Sequence, residues 1–322
     1  MNITISDIES YLPERVISNN ELTEKFGFDK EFLDNKIGIL ERRISAENET
    51  TSDLAYNAAK KLFDSGKYQT QDIDLVLLCT QNPDYKLPTT ACLVQTRLGI
   101  PTTSLAFDLN LGCSGFIYSL VVASSMIETG VVTKALVIMA DQYSKIIDYT
   151  DKNTASLFGD GAAACILEKG TKEGYGIIGY DFGSDGKGAQ NLIANNSGGF
   201  KDAEKNDFLY MNGREILKFS MSVVPKSIEN VLKKQNLQIS DISHFIFHQA
   251  NAYMLKEIQK RLEIPDEKMV IEMKMTGNTV SATIPLALKK LHEDNKIKSG
   301  DLLVFCGFGV GLSWGSIIYK VY

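Results

Sequence analysis

The sequence predicts an α/β fold built from two copies of one unit, with parallel or mixed sheets covered by helices on both faces. Two observations carry this reading. Short apolar, β-rich runs alternate with helical stretches along the chain, and a series of landmarks returns in the same order in the second half. In the first copy, residues 52–62 have the spacing of an amphipathic helix with Ser52 as its cap, and lead through Gln71-Asp72-Ile73-Asp74 to a strand over 75–79. In the second, a helix around 223–234 leads through Ser240-Asp241-Ile242-Ser243 to a strand over 244–248. Each strand is followed by a loop holding Gln and Asn, then by a helix that ends at 98–100 in one copy and 262–264 in the other. Glycine turns come next, Gly112-Cys113 and Gly277-Asn278, each opening a helix, and then strands over 134–140 and 301–306. The chain therefore divides into an N-terminal half, 1–170, and a C-terminal half, 171–322. Two such copies pack around a pseudo-two-fold axis, where a site can be built from corresponding turns.

Three residues at the ends of apolar runs point to that site. Residues 105–111 read as a buried strand, Gly112 turns the chain, and 113–127 read as a helix with small and apolar residues around most of its surface. Cys113 falls at the N-terminus of that helix, where free backbone N–H groups and the positive end of the macrodipole favour thiolate over thiol. The expectation is a depressed pKa and nucleophilic character. Taken alone, a cysteine is more often an inert buried residue. His248 closes the apolar strand of the second copy and Asn278 follows its glycine turn. Alone, each has a bland reading: a satisfied structural histidine, and a turn residue or helix cap. His244 and His292 stay in the structural class.

Composition bounds the rest. A chain of 322 residues can bury a substantial core. The balance of 34 basic against 40 acidic residues, net −6, argues against a general nucleic-acid binder. Residues 1–7 lack the basic and apolar regions of a signal peptide, and no stretch reaches the roughly 18 apolar residues of a membrane span, so the expectation is a cytoplasmic protein without membrane insertion. The five cysteines, Cys79, Cys92, Cys113, Cys165 and Cys306, are odd in number and widely spaced, as reduced thiols are, and no metal cluster is visible. Gly307, Gly309, Gly311 and Gly315 read as tight turns beside a packed sheet, because the run lacks the Lys-Ser/Thr ending of a phosphate loop. Gly159-Asp160-Gly161 likewise reads as a structural turn, and Asp160 is given no catalytic part.

A set of motifs runs over nearly the whole chain. They are Ser10-Tyr11-Leu12-Pro13, Gly38-Ile39-Leu40-Glu41-Arg42-Arg43-Ile44, Asn110-Leu111-Gly112-Cys113-Ser114-Gly115-Phe116, and Phe158-Gly159-Asp160-Gly161-Ala162. His248-Gln249-Ala250-Asn251, Gly277-Asn278-Thr279-Val280-Ser281-Ala282 and the terminal stretch 307–315 follow. In this order they resemble the thiolase superfamily of condensing enzymes, most closely the ketoacyl-acyl-carrier-protein synthase III family. The resemblance implies a duplicated thiolase-like fold, five layers αβαβα with two mixed sheets, in a homodimer. It implies no cofactor, with coenzyme A or phosphopantetheine thioesters as substrates and acyl-carrier protein as partner. Cys113 is then the acylated nucleophile, the N–H groups of Cys113 and Val310 form its oxyanion hole, and His248 and Asn278 donate hydrogen bonds to a malonyl thioester oxygen. The implied reaction is acyl transfer to Cys113, then decarboxylative Claisen condensation giving a 3-ketoacyl thioester, in fatty acid or specialised acyl-chain biosynthesis.

Departures from the family pattern bear on substrate. Phe32 and Lys152 stand where a tryptophan and an arginine commonly clamp the adenine of coenzyme A; phenylalanine still stacks, but lysine has no planar guanidinium face. Leu87 replaces a frequent phenylalanine in the loop that reaches a partner's acyl pocket, which favours a longer or branched acyl group. Asn251 joins these three as an expected substrate- or coenzyme A-binding residue. Lys218, Lys260 and Arg261 match basic positions that dock an acidic carrier protein, while Tyr253 replaces an arginine there. Val310 replaces the middle of a three-glycine run. Three alternatives stay open: an acyltransferase of the same fold using a hydroxyl or amine acceptor, a papain-like cysteine protease, and a scaffold in which the trio is structural. Against the protease stands the Gly112-Cys113-Ser114-Gly115 surround, which is not papain-like.

Overall fold

The computed structural model describes residues 2–322. Its strands, in chain order, are β1 (Ile3–Tyr11), β2 (Arg15–Ser18), β3 (Glu41–Ile44), β4 (Leu75–Cys79), β5 (Leu105–Leu109), β6 (Lys134–Asp141), β7 (Gly161–Lys169), β8 (Gly176–Ser184), β9 (Leu192–Ala194), β10 (Leu209–Met211), β11 (His244–Phe247), β12 (Leu302–Gly309) and β13 (Ser313–Lys320). They form two mixed main sheets, ordered β1-β7-β6-β4-β5 and β11-β12-β13-β8, and two small ribbons. In the first sheet β4 lies parallel to β5 and β6, and β7 lies antiparallel to β6 and β1. The second repeats the pattern: β11 is parallel to β12, and β13 is antiparallel to β12 and β8. Even the place of β5 is marked in the second copy, by a parallel bridge between Phe245 and Met269. The repeated landmarks therefore correspond to a repeated topology.

Helices Gly115–Glu128 and Thr283–Glu293 touch both main sheets and make the middle layer. Helices Thr51–Asp64 and Thr90–Leu98 cover the first sheet from outside, and Gly213–Lys234 covers the second, with Ala252–Leu262 packed beside it. This is the five-layer αβαβα arrangement. Its logic is local: Gly115–Glu128 buries residues around most of its surface, as a helix between two sheets must, whereas Thr51–Asp64 buries mainly the stripe Leu54, Ala55, Ala58, Ala59 and Leu62. Phe116, Leu120, Val137, Phe305 and Ile317 fill the central core between the sheets.

Three element boundaries differ from the sequence reading. Thr50, not Ser52, caps its helix, in a reciprocal box with Asp53. The helix expected around 223–234 begins at Gly213, and Pro225, which has no N–H to give, interrupts the pattern that would have shown its first half. The run 105–111 is not a buried strand: β5 ends at Leu109 and pairs only with β4, and as a sheet edge it leaves Leu105 45% exposed.

Candidate active site

Cys113 lies in the turn that enters the middle-layer helix. That helix starts at Gly115 with Ser114 as its cap, so Cys113 precedes the first turn instead of belonging to it. The end of β12 runs against the nucleophile turn: a Cβ on Gly307 would strike the Cys113 carbonyl oxygen, and one on Gly309 would lie 2.9 Å from Cys113 Cβ and 3.0 Å from Sγ. Only glycine permits this approach. The backbone N–H groups of Cys113 and Val310 both reach the sulfur and favour its anion. Burial outweighs them and, with the negative charge of Asp141, pushes the resting thiol up to about 12. The expectation of a depressed pKa is thereby corrected; in a dry pocket the loss of hydration exceeds what two N–H groups return.

Two hydroxyls tie the turns that supply those N–H groups. Ser313 Oγ, buried at the start of β13, donates to the Val310 carbonyl at 2.7 Å and lies 2.7 Å from the buried Ser114 Oγ. Both N–H groups expected to form the oxyanion hole, those of Cys113 and Val310, thus lie on the nucleophile sulfur.

His248 follows β11 directly and is 2% exposed. Its backbone N–H donates to Cys306 O of β12 at 2.8 Å, and its ring stands edge-on to Phe308, centroids 5.7 Å apart. Burial pulls its pKa down to about 3 against the opposing carbonyl of Val280, so the ring is neutral. Asn278 is fixed by a bridge to Phe158 and by its Oδ1, which accepts from Val280 N–H at 2.9 Å. That leaves Asn278 Nδ2 facing His248 Nε2 at 3.4 Å. The three turns converge: Gly309 lies against Cys113, its neighbour Phe308 against His248, and Ser281 beside Gly115.

The sequence reading missed two groups behind this trio. Asp141 is fully buried and accepts from Gln81 N at 2.8 Å and Ser281 Oγ at 2.5 Å, and burial raises its pKa to about 7. A carboxylate closing the apolar run of β6 was the available signal. Thr283 Oγ1 lies 2.8 Å from His248 Nδ1 and is itself 3% exposed. Nothing in its sequence context marked it. By contrast Asp160 is buried and holds the backbone and hydroxyls of Ser45 and Ser144, a structural task.

The outer residues fall into separate groups. Phe32 and Lys152 are brought together, with the ammonium 5.8 Å from the ring centroid. Beside them Lys36 stands 5.8 Å over the Tyr253 ring, and Gly38, at φ 73°, abuts Ala252. The helix Ala252–Leu262, with exposed Lys260 and Arg261 in its last turn, is thus seated on the segment that carries Phe32. Lys218 is exposed on a different helix and lies 3.7 Å from Glu215. Asn251 Oδ1 is occupied as the cap of Ala252–Leu262, accepting from Met254 N at 2.8 Å. Leu87 is 85% exposed.

Comparisons with known proteins agree with this architecture. The family model described as 3-oxoacyl-[acyl-carrier-protein (ACP)] synthase III matches residues 107–186, and the model of its C-terminal region matches 232–321. The beta-ketoacyl-[acyl-carrier-protein] synthase III of Geobacillus kaustophilus is 39% identical over 320 residues, 99% of each chain. Synthase III 1 of Halalkalibacterium halodurans is 41% identical over 316 residues, covering 98% of this chain and 97% of that one. A crystal structure of 3-oxoacyl-(acyl-carrier-protein) synthase III superposes with a TM-score of 0.93 at 41% identity, covering 99% of this chain and 100% of that one. The Burkholderia xenovorans 3-oxoacyl-(acyl-carrier protein) synthase gives 0.94 at 34%, covering 100% and 94%. With likeness of this extent, the chain belongs to the beta-ketoacyl-[acyl-carrier-protein] synthase III family.

Proposed function

We propose that the chain is a decarboxylating condensing enzyme that loads an acyl group on Cys113 and joins it to a malonyl unit carried by acyl-carrier protein. The observation that carries this reading is the pair His248 Nε2 and Asn278 Nδ2, 3.4 Å apart at one buried spot beside the nucleophile turn. Cys113 attacks the acyl thioester, and the N–H groups of Cys113 and Val310 hold the tetrahedral oxyanion. The Cys113 sulfur bonds to the acyl carbon, the carbon–sulfur bond to the carrier breaks, and the thiol proton passes to the departing thiolate, which leaves as the free carrier thiol. A malonyl thioester then places its carbonyl oxygen against His248 and Asn278. Loss of carbon dioxide drives electrons onto that oxygen, where two fixed, uncharged donors stabilise them. The resulting carbanion attacks the acyl-enzyme, forms the new carbon–carbon bond and releases Cys113.

In this reading the halves 1–170 and 171–322 divide the labour. The first contributes Cys113, and the second contributes His248, Asn278 and Val310. Lys218, Lys260 and Arg261 receive the carrier, Phe32 and Lys152 flank the entering thioester arm, and Asn251 holds the helix that borders it. The enzyme works in the cytoplasm as a homodimer: β5 leaves one edge free with Leu105 exposed, and the exposed Leu87 is available to a partner's acyl pocket. Among the described residues no helix is long and apolar enough to cross a membrane.

Intact-mass measurement after exposure to acyl-coenzyme A and acyl-carrier thioesters tests the first half-reaction. One acyl adduct is expected on the wild type and none on Cys113→Ser, because an unactivated hydroxyl is a far weaker nucleophile. Full loading of the serine variant would sink the assignment. Release of carbon dioxide from a malonyl thioester separates condensation from acyl transfer to a hydroxyl or amine.

A further inference from the structure

His248 can serve as a donor to the substrate oxygen only if its single ring proton is on Nε2. A neutral imidazole has one N–H; the other nitrogen is an acceptor, and the partner of that second nitrogen decides which is which. Burial keeps this ring uncharged. If Nε2 carries the proton, Nδ1 is left as a buried acceptor that needs a donor. The group in place is the hydroxyl of Thr283, 2.8 Å from Nδ1, at the start of the helix Thr283–Glu293.

That hydroxyl has a rival acceptor. Thr283 Oγ1 is also 3.0 Å from the carbonyl of Val280, and one proton cannot serve both. If it went to Val280, or if the Val280 carbonyl, which also faces the ring, accepted from the ring directly, His248 Nδ1–H would be the donor and Nε2 would be left to accept from Asn278 Nδ2. The 3.4 Å between Nε2 and Nδ2 is long for such an N–H···N bond. It suits two donors that each approach one shared oxygen at about 2.9 Å. Nδ1 is also the nearer of the two acceptors to the hydroxyl.

We propose that Thr283 is a positioning residue: its hydroxyl donates to Nδ1 of His248 and so holds the ring proton on Nε2, facing the thioester oxygen. The inference rests on the donor role given to His248 above. Thr283 touches no reacting atom and acts through the ring alone.

Nitrogen NMR of enzyme labelled in histidine reads the tautomer directly. The chain has only 3 histidines, and a His248→Ala sample identifies the signals. The wild type should show a protonated Nε2 and an unprotonated, hydrogen-bonded Nδ1. In Thr283→Val, which keeps the shape and removes the hydroxyl, the proton should move to Nδ1. Malonyl decarboxylation should then fall on the order of 10²-fold, the usual cost of losing one such donor, while Cys113 acylation stays intact. Thr283→Ser should restore both signals and rate. A protonated Nδ1 in the wild type would overturn the proposal, and that spectrum alone decides the matter if Thr283→Val does not fold. An unchanged tautomer in Thr283→Val would overturn it too. A moved proton with undiminished decarboxylation would uphold the tautomer assignment and overturn the donor role of His248 instead.

Discussion

Asp141 Oδ2 accepts the hydroxyl of Ser281 at 2.5 Å, joining the tip of β6 in the first sheet to the turn that carries Asn278 from the other copy. The other oxygen of the same carboxylate accepts from Gln81 N at 2.8 Å, beyond the tip of β4. One fully buried acid thus pins two turns to the tip of β6 beside the nucleophile, and Val280, between Asn278 and Ser281, takes φ 56° to complete its turn. A β-branched residue in that region is held only by its surroundings.

The pKa of Asp141 gives the first prediction. Burial raises it to about 7, against roughly 3.9 in an unfolded chain. Between those values the folded protein keeps a proton that the unfolded chain has released. The contribution of this group to stability is therefore fullest below about pH 4 and declines as pH rises towards 7. Relative to Asp141→Asn, the wild type should lose a few kcal/mol, order of magnitude, across that window. Denaturant midpoints for both proteins at several pH values check it; parallel pH curves would contradict it.

A second prediction separates the half-reactions. His248→Ala and Asn278→Ala should each still accept an acyl group on Cys113, because their donors face another oxygen. Decarboxylation should fall on the order of 10²- to 10³-fold in each. Equal loss of both half-reactions, in variants shown to be folded, would remove the division of labour.

Much of this site was legible in the sequence because a duplicated fold repeats its landmarks. Cys113 and Asn278 stand at corresponding turns, and β11 delivers His248 as β4 delivers Cys79 and Thr80. What escaped was tertiary. The raised pKa of Cys113 comes from dryness, which periodicity cannot report. The roles of Asp141 and Thr283 depend on partners 140 and 35 positions away along the chain. Burial of β5 was over-read for the same reason, since an apolar run does not say whether its strand is central or at an edge.

The approach of β12 to the nucleophile yields a third prediction. A methyl group at Gly309 would lie 3.0 Å from Cys113 Sγ, and Gly309 is held in place by its pairing with Ser313. Gly309→Ala should therefore suppress self-acylation by crowding the sulfur, with a modest loss of stability on the order of 1–3 kcal/mol. Acyl loading followed by mass, beside a thermal melt, distinguishes the two effects. Wild-type loading in a folded variant would show that the space at Sγ is larger than the backbone implies.

The last prediction concerns the donor. Lys152 offers the Phe32 ring a point charge at 5.8 Å but no flat face, so an adenine resting on Phe32 would lack the second wall that an arginine provides. Positive charge is available nearby: Lys36 over Tyr253, and Lys260 with Arg261 at the end of the helix seated on the same segment. Carrier-protein thioesters should accordingly outperform coenzyme A thioesters of the same acyl chain, and the preference should shrink as salt rises, since exposed charges are screened over about 10 Å at 0.1 M ionic strength. Matched donors compared by kcat/KM at low and high salt, with Lys260→Glu and Arg261→Glu alongside, provide the check. Charge reversal should lower kcat/KM for the carrier thioester and leave the coenzyme A thioester nearly unchanged. Equal use of both donors, with no effect of either reversal, would move the docking surface elsewhere and strip the Phe32 and Lys152 substitutions of their meaning for donor choice.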